Sequence, residues 1–211
     1  MIVVHHLNNS RSQRILWLLE ELGIDYEIKH YQRDAQTMLA PPSLYEVHPL
    51  GKSPVITDEN RTIAESGAIV EYIVSRYGNG KLVPAVETPE HLRYTYWLHY
   101  AEGSAMPPLL LNLIFNLFEI KDSSAMDGFI APQIKLHFDY IEDELSKSTW
   151  FVGEEFTAAD IQMSFPLELL ANVPQQVESR PNIKDFLKRI HELPNYKRGL
   201  EKGGEYDFAL Q

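Results

Sequence analysis

Asn9, Ser10 and Ser12 stand at the head of an apolar run, and their types and spacing suit an anion or a thiolate. They lie in Asn8-Asn9-Ser10-Arg11-Ser12-Gln13-Arg14. Behind them Ile15, Leu16, Leu18, Leu19 and Leu22 recur at helical spacing, and Gly23 is a natural stop. A helix N-terminus offers free N–H groups and the positive end of the macrodipole. A hydroxyl aimed from that end can donate to a thiolate. Ser10 followed by Gln13 also fits a capping box, so the same serine could serve only to cap its helix.

The elements that must position this turn are short. Ile2-Val3-Val4 reads as a strand before it, and the alternating run Tyr26 to Tyr31 as a strand after it. Arg33 to Val47 reads as a loop with one short irregular helix. Next comes His48-Pro49-Leu50-Gly51-Lys52-Ser53-Pro54-Val55-Ile56-Thr57-Asp58, a punctuated loop running into a strand whose first position is Pro54. Arg61 to Ala64 makes the antiparallel partner. Glu65-Ser66-Gly67 then opens a helix with Ser66 as its cap, closing at Gly78.

Residues 1–80 therefore read as βαβ followed by ββα, and 81–89 as a Pro/Gly-marked linker. Residues 90–211 lose the strand-like alternation. The spacing there predicts a long helix from Glu90 to Ile120, bent at Pro107-Pro108, and helices over Pro132 to Leu145 and from Thr157 onward. Thr157 and Asp160 form a capping box there, Pro166 should bend or interrupt the helix, and Asn182 to Glu192 forms a fourth. The architecture is a small α/β domain followed by an all-α helical one.

Composition narrows the function. The 211 residues carry a net charge of −11, which argues against nucleic acid or an anionic membrane as partner. No apolar run is long enough to span a bilayer, and the N-terminus lacks a signal-peptide pattern, so the expected compartment is the cytoplasm. There is no cysteine, so any thiol chemistry must use a borrowed thiol. The histidines, including His5-His6, His91 and His99, show no metal-binding spacing, and no metal is expected.

In order and spacing, four segments resemble the cytosolic glutathione transferase family, of the bacterial or fungal serine-bearing branch. They are Ser10-Arg11-Ser12-Gln13-Arg14 through Gly23, His48 to Pro54, Glu65-Ser66, and Phe156-Thr157-Ala158-Ala159-Asp160. The resemblance covers the whole chain. It implies a thioredoxin-like N-terminal domain that binds glutathione as co-substrate, a helical domain contributing the electrophile pocket, and a homodimer. Ser10 becomes the first choice for the thiolate donor, with Asn9 and Ser12 as the other candidates. The family's loop implies a cis Ser53-Pro54 bond that presents the backbone of Ser53 to an extended peptide. It also implies Lys52 near the glycyl carboxylate, and Glu65 and Ser66 at the γ-glutamyl end.

The function implied is conjugation of the glutathione thiolate to a small apolar electrophile, in detoxification. A glutathione-dependent peroxidase or disulfide-exchange enzyme stays open because of Asn8 and Asn9. A non-catalytic binding module of the same fold is the third reading, against which Lys52-Ser53-Pro54 and Glu65-Ser66 weigh.

Overall fold

The computed structural model describes residues 1–120, 124, 126–173 and 175–209. Two units divide the chain. One joins Met1–Val83 to Ile190–Ala209, and the other is Pro84–Arg189.

In the first unit β1 (Ile2–Leu7) leads to α1 (Ser12–Leu22) and β2 (Tyr26–Tyr31). A short helical turn, Pro42–Leu44, precedes β3 (Val55–Asp58), β4 (Arg61–Ala64) and α2 (Ser66–Tyr77). The sheet order is β2-β1-β3-β4, with β1 parallel to β2 and the other pairs antiparallel. This is the expected thioredoxin-like arrangement. β1 is central and buries Ile2, Val4 and Leu7, while its C-terminal end delivers the Asn8 to Arg11 turn.

Every residue of α1 from Ser12 to Leu19 is buried. A helix covered on all sides needs a second layer besides its own sheet. That layer is a helix the sequence pattern did not reveal, Pro194–Gly203. Its glycines permit the approach. A Cβ on Gly199 would stand 3.1 Å from the Trp17 backbone nitrogen, and one on Gly203 would stand 2.6 Å from Gln13 Oε1. Tyr196 adds an edge-on ring contact to Trp17 at 5.1 Å. Residues 190–209 thus pack with the first unit, whereas the sequence-based boundary assigned everything after residue 90 to the helical domain.

The second unit holds α3 (Pro89–Tyr100), α4 (Met106–Leu117), α5 (Ala131–Leu145) and α6 (Ala158–Ala171). Then α7 (Pro181–Glu192) follows, and the Pro194–Gly203 helix of the first unit is α8. The single helix expected from Glu90 to Ile120 is two helices joined by a widened turn, Ala101–Ala105. The Met106 N–H reaches back five residues to the Ala101 carbonyl, just before Pro107 and Pro108, which have no N–H to continue the ladder. Pro166 lies inside α6 without ending it. Trp97, Phe138, Phe151 and Phe186 are buried here, with Trp97 and Phe151 centroids 4.6 Å apart. Among the described residues no helix is long and apolar enough to cross a membrane.

Candidate functional site

Helix α1 starts at Ser12, with Arg11 in the capping position and no side-chain cap. The expected capping box gives way to another arrangement. Ser10 Oγ accepts from the Ser12 N–H at 3.2 Å, and the Gln13 N–H bonds the Ser10 carbonyl at 3.2 Å. Both serine side chains point inward, Ser10 being 4% exposed and Ser12 0%. Ser10 Oγ donates to the Leu7 carbonyl at 2.8 Å and lies 2.7 Å from Ser12 Oγ, which is 2.8 Å from His6 Nδ1.

The hydrogen bonds of this turn give the Ser10 hydroxyl an acceptor within the protein. If His6 Nδ1 carries hydrogen, donation runs from His6 to Ser12 to Ser10 to the Leu7 carbonyl. If Nδ1 is bare, Ser12 donates to it and Ser10 still donates to Leu7. In either tautomer the Ser10 proton has an internal acceptor. A hydroxyl expected to face a thiolate therefore faces the protein in this structure. Burial, with a contribution from nearby His30, pushes the His6 imidazole down to about 4, so it is neutral at physiological pH.

Asn9 is placed differently. It is half-buried and sits at φ 49°, a left-handed conformation that asparagine tolerates better than most residues. Its Nδ2 donates to Asp207 Oδ2 at 2.7 Å, and its Oδ1 accepts from the Asp207 N–H at 2.8 Å. Its carbonyl accepts from Arg33 Nη2 at 3.2 Å. Arg33 Nε also reaches the Asn8 carbonyl at 3.2 Å, and the Arg33 N–H bonds Asn8 Oδ1 at 2.9 Å. Burial and the neighbouring Arg11 hold Arg33 below its usual value, so two cations stand near the α1 N-terminus.

The remaining candidates lie at the ends of β1, β3 and α2. The Ser53–Pro54 bond is cis. Ser53 Oγ donates to the His5 carbonyl at 3.0 Å, tying this loop to β1. Among the described residues the Ser53 backbone N–H and C=O have no hydrogen-bond partner. Lys52 is exposed and forms no ion pair among the described residues.

Glu65, and not the expected Ser66, caps α2; it is exposed and sits at φ 69° and ψ 118°, a costly conformation for a residue with a side chain. Its carboxylate has no cation partner among the described residues. Ser66 is buried, and its Oγ accepts from Arg14 Nη2 at 3.0 Å. Arg14 thereby ties the N-terminal turn of α1 to that of α2. Sequence reasoning gave no role to Arg14, Arg33 or Asp207 and read His6 only as lacking a metal-binding pattern. A charged residue inside the apolar run of α1 was the one available signal, for Arg14.

The β2-β1-β3-β4 sheet, with α1 and α2 starting beside the cis Ser53–Pro54 loop, defines a protein of the thioredoxin-like fold class. The comparisons agree. The family model Glutathione S-transferase, N-terminal domain, matches residues 1–75, and Glutathione S-transferase, C-terminal domain, matches residues 129–194. Glutathione S-transferase 3 of Schizosaccharomyces pombe is 37% identical, over 96% of this chain and 88% of its own. Glutathione S-transferase 1 of Saccharomyces cerevisiae is 33% identical, over 96% of this chain and 95% of its own. A glutathione S-transferase structure from Actinobacillus pleuropneumoniae superposes with TM-score 0.89 at 37% identity, covering 100% of this chain and 97% of that one. A glutathione transferase of Phanerochaete chrysosporium, solved with oxidized glutathione, shares the fold at TM-score 0.82 and 22% identity, over 96% and 94% of the two chains. The chain belongs to the glutathione S-transferase family and is a glutathione transferase.

Proposed function

We propose that this chain binds glutathione in its first unit and stabilises the thiolate at the N-terminal turn of α1 for attack on a small apolar electrophile. The observation that carries the reading is the linked pair of helix starts. Arg14 holds Ser66 at 3.0 Å, and beside it the exposed Glu65 carboxylate has no cation of its own among the described residues. A γ-glutamyl group would bring a cation to Glu65 and an anion to the α2 N-terminus. Its carboxylate suits the α2 N-terminus and Ser66, and its ammonium suits Glu65. The free backbone of Ser53 suits the extended middle of the tripeptide, and Lys52 suits its glycyl carboxylate.

At the thiol, Asn9 is the better donor, and Ser10 and Ser12 hold the turn beneath it. A primary amide has two N–H groups, and Asp207 occupies one of Asn9's. The two serine hydroxyls have acceptors within the turn. A thiol titrating near 8.5 needs roughly 2.7 kcal/mol of thiolate stabilisation to reach about 6.5. A hydrogen bond to a charged group supplies about 1.5–3 kcal/mol and a helix N-terminus about 0.3–1. One donor at this helix start is enough, with no strong base required. We place the enzyme in the cytoplasm, in detoxification, as a homodimer.

Calorimetry tests the binding half. Glu65→Ala and Ser66→Ala are each expected to weaken glutathione binding by about 1.5–3 kcal/mol. Unchanged affinity in both variants would sink the γ-glutamyl assignment. Turnover of an aryl halide tests the chemistry. A hydroperoxide consumed while the aryl halide is not would mark a peroxidase.

A further inference from the structure

The C-terminal segment returns to the thiol-facing turn, and nothing in the glutathione site requires it to. We propose that Asp207 is a positioning residue that fixes which way the Asn9 amide faces. The proposal rests on the reading of Asn9 as the thiolate donor.

The contact is reciprocal and polar at both ends. Asn9 Nδ2 gives one hydrogen to Asp207 Oδ2 at 2.7 Å, and the Asp207 N–H comes back to Asn9 Oδ1 at 2.8 Å. A carboxylate can only accept and a backbone N–H can only donate. The pair therefore determines which end of the amide carries the donors, and leaves the second N–H of Nδ2 in a fixed direction. The backbone beneath is held as well, because Arg33 binds the carbonyls of Asn8 and Asn9. Asn9 thus has a clamped main chain, a clamped amide and, among the described residues, one amide N–H to spare.

The other half of the clasp is anchored too. Asp207 follows α8, seated on α1 through Gly199 and Gly203. Gly204, at φ 84°, turns the chain back after that helix. α8 is also pinned by Asn195 to Glu21 at 2.7 Å and by Lys202 to Glu20 at 2.5 Å. Asp207 is exposed, and an exposed pair of this kind contributes little to global stability. Its effect lies in orientation, where a small loss of order in the donor is read directly in the thiol's titration.

Charge alone predicts the opposite outcome, which makes the idea testable. A carboxylate close to the thiol disfavours the thiolate, so deleting it would make the bound thiol more acidic. Positioning predicts a less acidic thiol. The variants are Asp207→Ala, Asp207→Asn, Asn9→Ala and the double Asn9→Ala/Asp207→Ala. The readouts are thiolate absorbance of bound glutathione against pH, calorimetric affinity and melting temperature.

Asp207→Ala is expected to cut the thiolate fraction at neutral pH about three- to tenfold while glutathione still binds. Asp207→Asn, whose amide oxygen can still accept, should restore most of it. The double variant should titrate like Asn9→Ala alone, since the two residues act through one group. A wild-type titration in Asp207→Ala, or a more acidic thiol in both Asp207 variants, overturns the proposal. So does a lowered melting temperature with the titration unmoved. If Asn9→Ala itself titrates as wild type, the donor reading has failed and the proposal falls with it. If Asn9→Ala shifts and Asp207→Ala does not, only the positioning role is lost.

Discussion

Ser10 and Asn9 are neighbours in one turn, yet Ser10 is buried while Asn9 is half-buried and bonds the exposed Asp207. The Ser10 proton is engaged by the Leu7 carbonyl at 2.8 Å. Ser10→Ala is therefore expected to lower stability by about 1–2 kcal/mol, through the partner it removes from the buried Ser12 N–H, and to leave the bound thiol's titration unmoved. A titration that shifts in Ser10→Ala but not in Asn9→Ala would mean the hydroxyl turns outward when glutathione binds. His6, beneath the two serines, makes the turn acid-sensitive. Its folded pKa is pushed down by burial to about 4, against about 6.5 for an unfolded histidine. The neutral ring thus contributes stability that is fully present above about 6.5 and is lost as pH falls through about 4. The full difference is about 3 kcal/mol. Urea unfolding of wild type and His6→Asn across that window should show a shallower acid decline in the variant. Parallel declines would reject the assignment.

At the scale of elements, the capping box of α6 was plain from spacing alone because its chemistry is local. Asp160 accepts from the Phe151 N–H at 2.8 Å, from the Thr157 N–H at 2.8 Å and from the Thr157 hydroxyl at 3.1 Å. Asp160→Ala leaves two buried N–H groups unpaired and should cost about 2–4 kcal/mol, and Thr157→Ala about 0.5–2. Neither should alter glutathione affinity, and lost affinity with an unchanged melting temperature would overturn the structural role. β1, α1, β2 and the β3–β4 pair were legible for the same reason, each carrying its period within a few residues. α8 was not. Its Gly199 and Gly203 weaken a helix pattern, and their use, close approach to Trp17 and Gln13 of α1, lies about 180 residues away in sequence. The site divides differently. Lys52, Ser53, Glu65 and Ser66 were singled out by the family resemblance and not by local signals, and the local cap reading missed by one residue, since Glu65 and not Ser66 caps α2. The inward direction of Ser10 depends on the φ of Asn9, and the Asp207 clasp on how α8 ends, neither of which is written in local periodicity.

At the scale of the whole molecule, the question is what the second unit does with the apolar surface it leaves exposed. Leu92 and Tyr96 on α3 are 73% and 44% exposed, and Leu136 and Tyr140 on α5 are 61% and 38% exposed. Each pair is four residues apart, so each forms one stripe on its helix. The Tyr100 ring joins the stripes, its centroid 5.4 Å from that of Tyr96 and 5.7 Å from that of Tyr140. Single exposed leucines need no explanation, but a contiguous patch marks an interaction surface. In a two-fold dimer the same patch meets itself, and close approach of two chains each carrying −11 needs apolar contact to offset their repulsion. Sedimentation at micromolar concentration should therefore give twice the 24.3 kDa chain mass. Leu92→Glu/Leu136→Glu should return it to the single chain with its far-ultraviolet circular dichroism unchanged, because both side chains lie outside the core. A wild-type protein that sediments only at 24.3 kDa rejects the homodimer. A double variant that stays dimeric keeps the dimer and moves its interface off α3 and α5.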